Sequence, residues 1–155
     1  MSLIDESQPA DPMQSPAQQW IAAFNAHDVE AIVAFYREDA ELYDAGMKYP
    51  RRGKQAIRGW FEQRFRTMPT ITYTPTEYVC ASETRAVVTW TTQGQSPTPG
   101  GHRWLRWLSR PFQVDGVSVF MLADGLIVRQ QGYYDHLAVV QQILPPLRWL
   151  LPVRF

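Results

Sequence analysis

Apolar residues recur at helical spacing in the first part of the chain and alternate with polar ones in the rest. Pro16 suits a first helical position, and Ala17, Trp20, Ile21 and Phe24 then share one face, with Asn25 as a stop. Asp28 can cap a second helix whose apolar face is Val29, Ile32, Val33 and Tyr36, and two helices this close in sequence pack as a hairpin. The stretch 39–44 follows and reads as a short strand. Side chains alternate along a strand, so Ala40, Leu42 and Asp44 share one face and Glu41 and Tyr43 the other. Gly53 opens a third helix, from Lys54 to about Met68. Ile57, Trp60, Phe61, Arg64 and Phe65 form its stripe, and Pro69 ends it.

From there the pattern is strand-like. Residues 71–80 and 85–93 alternate, with a turn at Ser82-Glu83 between them, and 94–101 is a loop of Gly, Ser, Thr and Pro. Residues 112–122 form a long strand joined to 126–134 by Ala123-Asp124-Gly125, a hairpin signal. A last short helix starts at Asp135 or His136, carries Leu137, Val140 and Ile143, and stops at Pro145-Pro146. Helices followed by antiparallel strands predict an α+β domain, a curved mixed or antiparallel sheet with helices on its concave face and an apolar pocket between the layers.

The length, 155 residues, suits one domain with a sizeable core. Residues 1–14 are polar and read as a disordered tail, leaving 15–155 as the single domain. Lys plus Arg equals Asp plus Glu at 15 each, which argues against a nucleic-acid partner. One cysteine, Cys80, allows no intrachain disulfide, and no secretory signal or spanning segment is apparent, so a cytoplasmic location is expected. The three histidines are scattered without metal-ligand spacing, and no metal is expected. His27, in the turn between helices, reads as solvated. The segment Arg103–Arg110 and the tail 147–155 interleave arginines with large apolar groups. Both fit a cavity cover or a packing contact better than a membrane surface.

The chemistry starts at Asp44. An aspartate on an apolar strand face is costly unless it is paired, hydrogen-bonded or protonated, so it is a candidate for binding or catalysis. The alternatives are that Leu42 faces outward, or that Asp44 ends its strand and caps a turn.

The stretches Trp20–Asp28, Asp39–Asp44, Arg52–Arg58, Gly116–Phe120 with Asp124–Val128, and Gly132–Asp135 together resemble the nuclear transport factor 2-like superfamily over residues 16 to 143. The branches most similar are ketosteroid isomerase and the SnoaL-like polyketide cyclases. The resemblance implies a cone-shaped, cystatin-like α+β fold with an apolar cavity, often dimeric. Asp44 falls where ketosteroid isomerases keep a proton-moving aspartate. Those enzymes add an oxyanion hole of a Tyr and a protonated Asp. Here Trp20 holds the Tyr position, and Val117 or Ser118 the Asp position, of which Ser118 can donate only a weaker hydrogen bond. Losing such donors costs a hundredfold or more each, so efficient ketosteroid isomerisation is not expected. Asp135 falls where SnoaL-like cyclases keep an acid/base aspartate, and it can equally cap the final helix.

Two functions follow. One is a cofactor-independent isomerase- or cyclase-type enzyme acting on a small hydrophobic, carbonyl-bearing ligand. Asp44 or Asp135 would move a proton, and Trp20, Tyr43, Trp60, Arg64, Trp90, Ser118 and Tyr133 would bind the ligand. The other is a non-catalytic module that binds a ligand or partner. A homodimer paired through the outer sheet face is expected in either case.

Overall fold

The computed structural model describes residues 16–96 and 109–143. The segment Arg103–Arg110 therefore falls mostly, and the tail 147–155 and residues 1–14 wholly, outside the described residues. Helices α1 (Pro16–Asn25) and α2 (Val29–Ala34) form the hairpin, with Asp28 capping α2 through Ala31 N at 3.0 Å. Strand β1 (Tyr36–Asp44) follows, then the short β2 (Arg51–Arg52) and helix α3 (Lys54–Thr67). The rest is β3 (Thr72–Ser82), β4 (Arg85–Gln95), β5 (Pro111–Ala123), β6 (Leu126–Tyr134) and helix α4 (His136–Ile143).

The strands form one sheet in the order β2-β1-β6-β5-β4-β3. All pairs are antiparallel except β1 with β6, which are parallel. The β5–β6 hairpin turns at Asp124 (φ 52°) and Gly125 (φ 75°), the two left-handed positions that an Asp-Gly turn supplies.

One expected helical residue is a strand residue. The pattern predicts Tyr36 on the apolar face of α2, but α2 ends at Ala34 and Tyr36 opens β1, fully buried. Its spacing from Ile32 and Val33 fits a helix. The strand wins because Tyr36 fills the space between the layers, its hydroxyl accepting from Trp20 Nε1 at 3.1 Å and donating to Gln130 Oε1.

The helices cover one face of the sheet, and the core between them is aromatic. The Trp20 ring lies 5.5 Å from those of Phe24 and Phe120 and 6.0 Å from that of Phe61. Phe24, Tyr73 and Trp90 stack in series, at 4.2 and 4.5 Å. Asn25 ties α1 to the sheet edge. Its side chain accepts from the Tyr73 N–H and donates to the Tyr73 C=O, both at 2.8 Å, satisfying groups that β3 has no further strand to bond. His27 is likewise engaged rather than solvated, its Nε2 2.8 Å from Ile71 O and its ring stacked on Phe65 at 4.3 Å. Among the described residues no helix is long and apolar enough to cross a membrane.

Candidate functional site

The inward face of β1 carries Ala40, Leu42 and Asp44, all buried, so both halves of the Asp44 question resolve together. Leu42 points into the core, and so does Asp44. Asp44 also ends the strand and accepts from Gly46 N at 3.1 Å through Oδ1. Only 6% of Asp44 is exposed.

Register then assembles the floor around it. Asp44 lies opposite Gly132 of β6, Gly132 opposite Ser118 of β5, and Ser118 opposite Val88 of β4. One step along, Trp90 lies opposite Gly116, and Gly116 opposite Tyr134. Glycine at 116 is a requirement of space: a Cβ there would collide with the Trp90 ring and with the Tyr133 carbonyl. The indole lies over that gap and donates to Ser118 Oγ at 2.9 Å.

Helix α3 supplies the counter-charge. Its stripe buries Ile57 and Phe61 and brings Arg64 to the next turn, where Nη1 stands 4.0 Å from Asp44 Oδ2. Both side chains are almost wholly buried, and the guanidinium also stacks on the Trp60 ring at 4.8 Å. Two tyrosines complete the cluster. Tyr73 lies against Arg64, and Tyr134 against Asp44, closely enough for each charge to act on the neighbouring hydroxyl. Burial pushes the Tyr73 hydroxyl up to about 12, against the pull of Arg64, with the Asp44 charge adding to the rise. Burial and then the Asp44 charge raise Tyr134 as well. Burial also works against the Arg64 charge, but Tyr73, Asp44 and Tyr134 outweigh it and hold the guanidinium above its ordinary value.

Beside this cluster lies an internal chamber bordered by Trp20, Leu42, Tyr43, Asp44, Trp60, Phe61, Tyr73, Trp90, Ser118, Gln130 and Gly132. As folded it leaves only about 10 Å³ free, room for about one water. A larger open depression of about 480 Å³ lies near Thr70, Phe112 and Gln142, and no titratable side chain lines it among the described residues.

The expected site residues therefore divide. Asp44, Trp20, Tyr43, Trp60, Trp90 and Ser118 border the chamber, and Arg64 reaches it through Asp44. Asp135 does not border it. It is exposed and caps α4, accepting from Ala138 N at 2.9 Å. Tyr133 is 45% exposed, and its hydroxyl donates to Gln131 Oε1 at 3.2 Å. Tyr73 and Gln130 are chamber residues that the site expectation lacked. Strand alternation puts Tyr73 on the inner face. Gln130 is inward because β6 shifts register between Ile127 and Arg129, opposite Leu122 and Met121. Cys80 pairs with Ala86 in the sheet, and its side chain is outside the description.

Residues 17–130 match the family model described as SnoaL-like domain. The chain belongs to the SnoaL-like family. No curated protein matches it at a significant level. Solved structures share the fold of this SnoaL-like protein, which is the ketosteroid isomerase-like, nuclear transport factor 2-like one. A protein from Catenulispora acidiphila, solved with trimethylamine, is 19% identical and superposes with a TM-score of 0.69 over 83% of this chain and 92% of that one. TerC, co-crystallised with polyporic acid, is 19% identical, with a TM-score of 0.65 over 82% and 94%. A candidate SnoaL-like polyketide cyclase from Shewanella denitrificans is 14% identical, with a TM-score of 0.71 over 83% and 94%. At these identities the likeness carries the fold alone.

Proposed function

We propose that this SnoaL-like protein binds a small hydrophobic, carbonyl-bearing ligand in the chamber and moves a proton on it with Asp44, without a cofactor. The observation that carries this reading is the convergence on one aromatic chamber of a buried carboxylate, its counter-ion and two directed donors.

The donors follow from hydrogen-bond direction. Trp90 Nε1 donates to Ser118 Oγ, so the Ser118 O–H is left to donate. Trp20 Nε1 donates to the Tyr36 hydroxyl, which donates to Gln130 Oε1, so the Gln130 amide N–H group becomes the donor end of the chain. Both residues border the chamber. In this reading they polarise the ligand carbonyl, in place of a Tyr and a protonated Asp, while the Asp44 carboxylate takes the proton from the adjacent carbon. Asp135 has no part in it. The free volume is far below that of a typical ligand pocket, so ligand entry displaces a wall. Tyr43 and Trp60 are the partly buried side chains of that wall, and Trp60, which also faces the surface beside Arg64, is the one that moves.

The second reading, a non-catalytic binding module, is favoured by the same pair seen differently: Asp44 already has Arg64 and Gly46 N as partners. Native mass spectrometry of the purified protein tests the shared part of both. A co-purified ligand, lost on Trp60→Ala or on a bulky Ser118→Leu change, supports the chamber. A ligand retained by both variants places it elsewhere.

The protein pairs with a second copy through the outer sheet face, where Val79 and Tyr133 are 46% and 45% exposed and Val87, Val117 and Val119 lie between them. Light scattering after size exclusion should give a mass near twice 17.9 kDa, and a clean monomer at micromolar concentration contradicts this.

A further inference from the structure

Arg64 and Trp60 have a second side. Both also line a cleft of about 200 Å³ on the protein surface, together with Arg51, Gln63, Thr67 and Met68. Trp60 borders the chamber as well, so one indole separates the inner space from the outer. The cleft lining holds two guanidinium groups and no carboxylate. Arg51 is exposed and makes no ion pair among the described residues, whereas its neighbours Arg52 and Lys54 pair with Glu41 and Glu38. Arg64 faces Asp44 without a hydrogen bond to it, its Nη1 4.0 Å from Oδ2, and its Nε has no partner either, so the guanidinium keeps donor capacity. A guanidinium offers five N–H donors in a planar fork that suits a carboxylate. The Thr67 hydroxyl is committed to the backbone of Gln63 and Arg64, which leaves the arginines as the polar groups of the cleft best able to bind an anion.

We propose that the cleft is an anion site for the chamber's ligand: Arg51 and Arg64 hold a carboxylate at the surface while the apolar, ketone-bearing end of the same molecule passes Trp60 into the chamber. The ligand class is thus an amphiphilic keto acid rather than a neutral ketone. This rests on the chamber reading for the apolar end, whereas the anion site stands on the cleft alone.

Calorimetric titration with 3-benzoylpropionate and with its methyl ester separates the two parts. The acid should bind at least roughly tenfold more tightly than the ester, as expected for one charge-assisted contact. Arg51→Gln should weaken the acid by about the same factor and leave the ester unchanged. Added salt should weaken the acid only. Equal affinity for acid and ester, or an acid affinity untouched by Arg51→Gln, overturns the anion site and leaves the chamber reading standing. Binding of the acid with normal Arg51 dependence but no effect of Trp60→Ala or Ser118→Leu keeps the anion site and removes the chamber from it. If neither compound binds, both proposals fall.

Discussion

The hydroxyl of Tyr134 occupies the space in which a side chain at position 46 would begin: a Cβ built on Gly46 would lie 2.8 Å from it. Gly46 is not among the glycines with a positive φ, so its backbone does not demand glycine. Space does. The same residue gives its N–H to Asp44, whose charge also acts on the Tyr134 hydroxyl. Gly46→Ala should therefore cost roughly 1–3 kcal/mol, the usual range for overpacking. Most of that cost should vanish in a Tyr134→Phe background, where the clashing oxygen is gone. Chemical denaturation of the four proteins in this cycle checks it; additive effects would mean the two residues do not meet.

The Asp44–Arg64 pair is buried on both sides. Removing one member strands the other charge, so Arg64→Met and Asp44→Asn should each lose about 3 kcal/mol at neutral pH, the low end of the range for broken buried pairs. The double variant should lose clearly less than the two losses together. Urea midpoints at constant m-value measure this.

Phe61 contacts the rings of Trp20, Phe24, Trp60 and Phe65 and is 1% exposed. Phe61→Ala should cost roughly 3–5 kcal/mol. A loss under about 1 kcal/mol would mean that the core closes over the gap.

Alkaline stability follows from the tyrosines. Tyr73, Tyr134 and Tyr36 all have folded pKa values raised, chiefly by burial. A raised folded pKa contributes stability that is fully present below the unfolded value, about 10 for tyrosine, and is lost as pH rises through the folded value. The protein should lose stability from about pH 10 upward, and for Tyr73 the loss continues to about 12. Tyrosinate absorbance should show the buried tyrosines ionising only as the fold opens, and Tyr73→Phe should flatten the stability decline. A full, reversible titration of all seven tyrosines near pH 10 with the fold intact would contradict this.

Much of this was legible in the chain. The period change from helical to alternating fixed the α+β class, and the Asp-Gly pair placed the β5–β6 turn. Alternation puts Asp44 on the face of Ala40 and Leu42 and leaves open which way that face points, and the α3 stripe puts Arg64 beside Phe61. What pattern could not supply was the distance between them, because Asp44 and Arg64 meet only when α3 packs across β1. Gln130 was hidden for a different reason: a register shift in β6 resets the alternation from which its direction would be read. Asp135 illustrates the reverse. Its type and position fit a catalytic role and a helix cap equally, and the local hydrogen bond to Ala138 is what it makes. Tyr36 fits the helical spacing of α2 yet lies beyond it, because three residues at that spacing cannot reveal where a six-residue helix stops.

Proton transfer by Asp44 would show as isotope exchange on a ketone bound in the chamber. The most direct measurement is deuterium incorporation next to the carbonyl of enolisable aryl ketones, propiophenone and 3-benzoylpropionate, followed by NMR in heavy-water buffer. Exchange should exceed the buffer rate with the wild-type protein and return to it with Asp44→Asn, while calorimetry shows that the variant still binds the ketone. Exchange at the same rate with both proteins, under conditions where the ketone is bound, would contradict it.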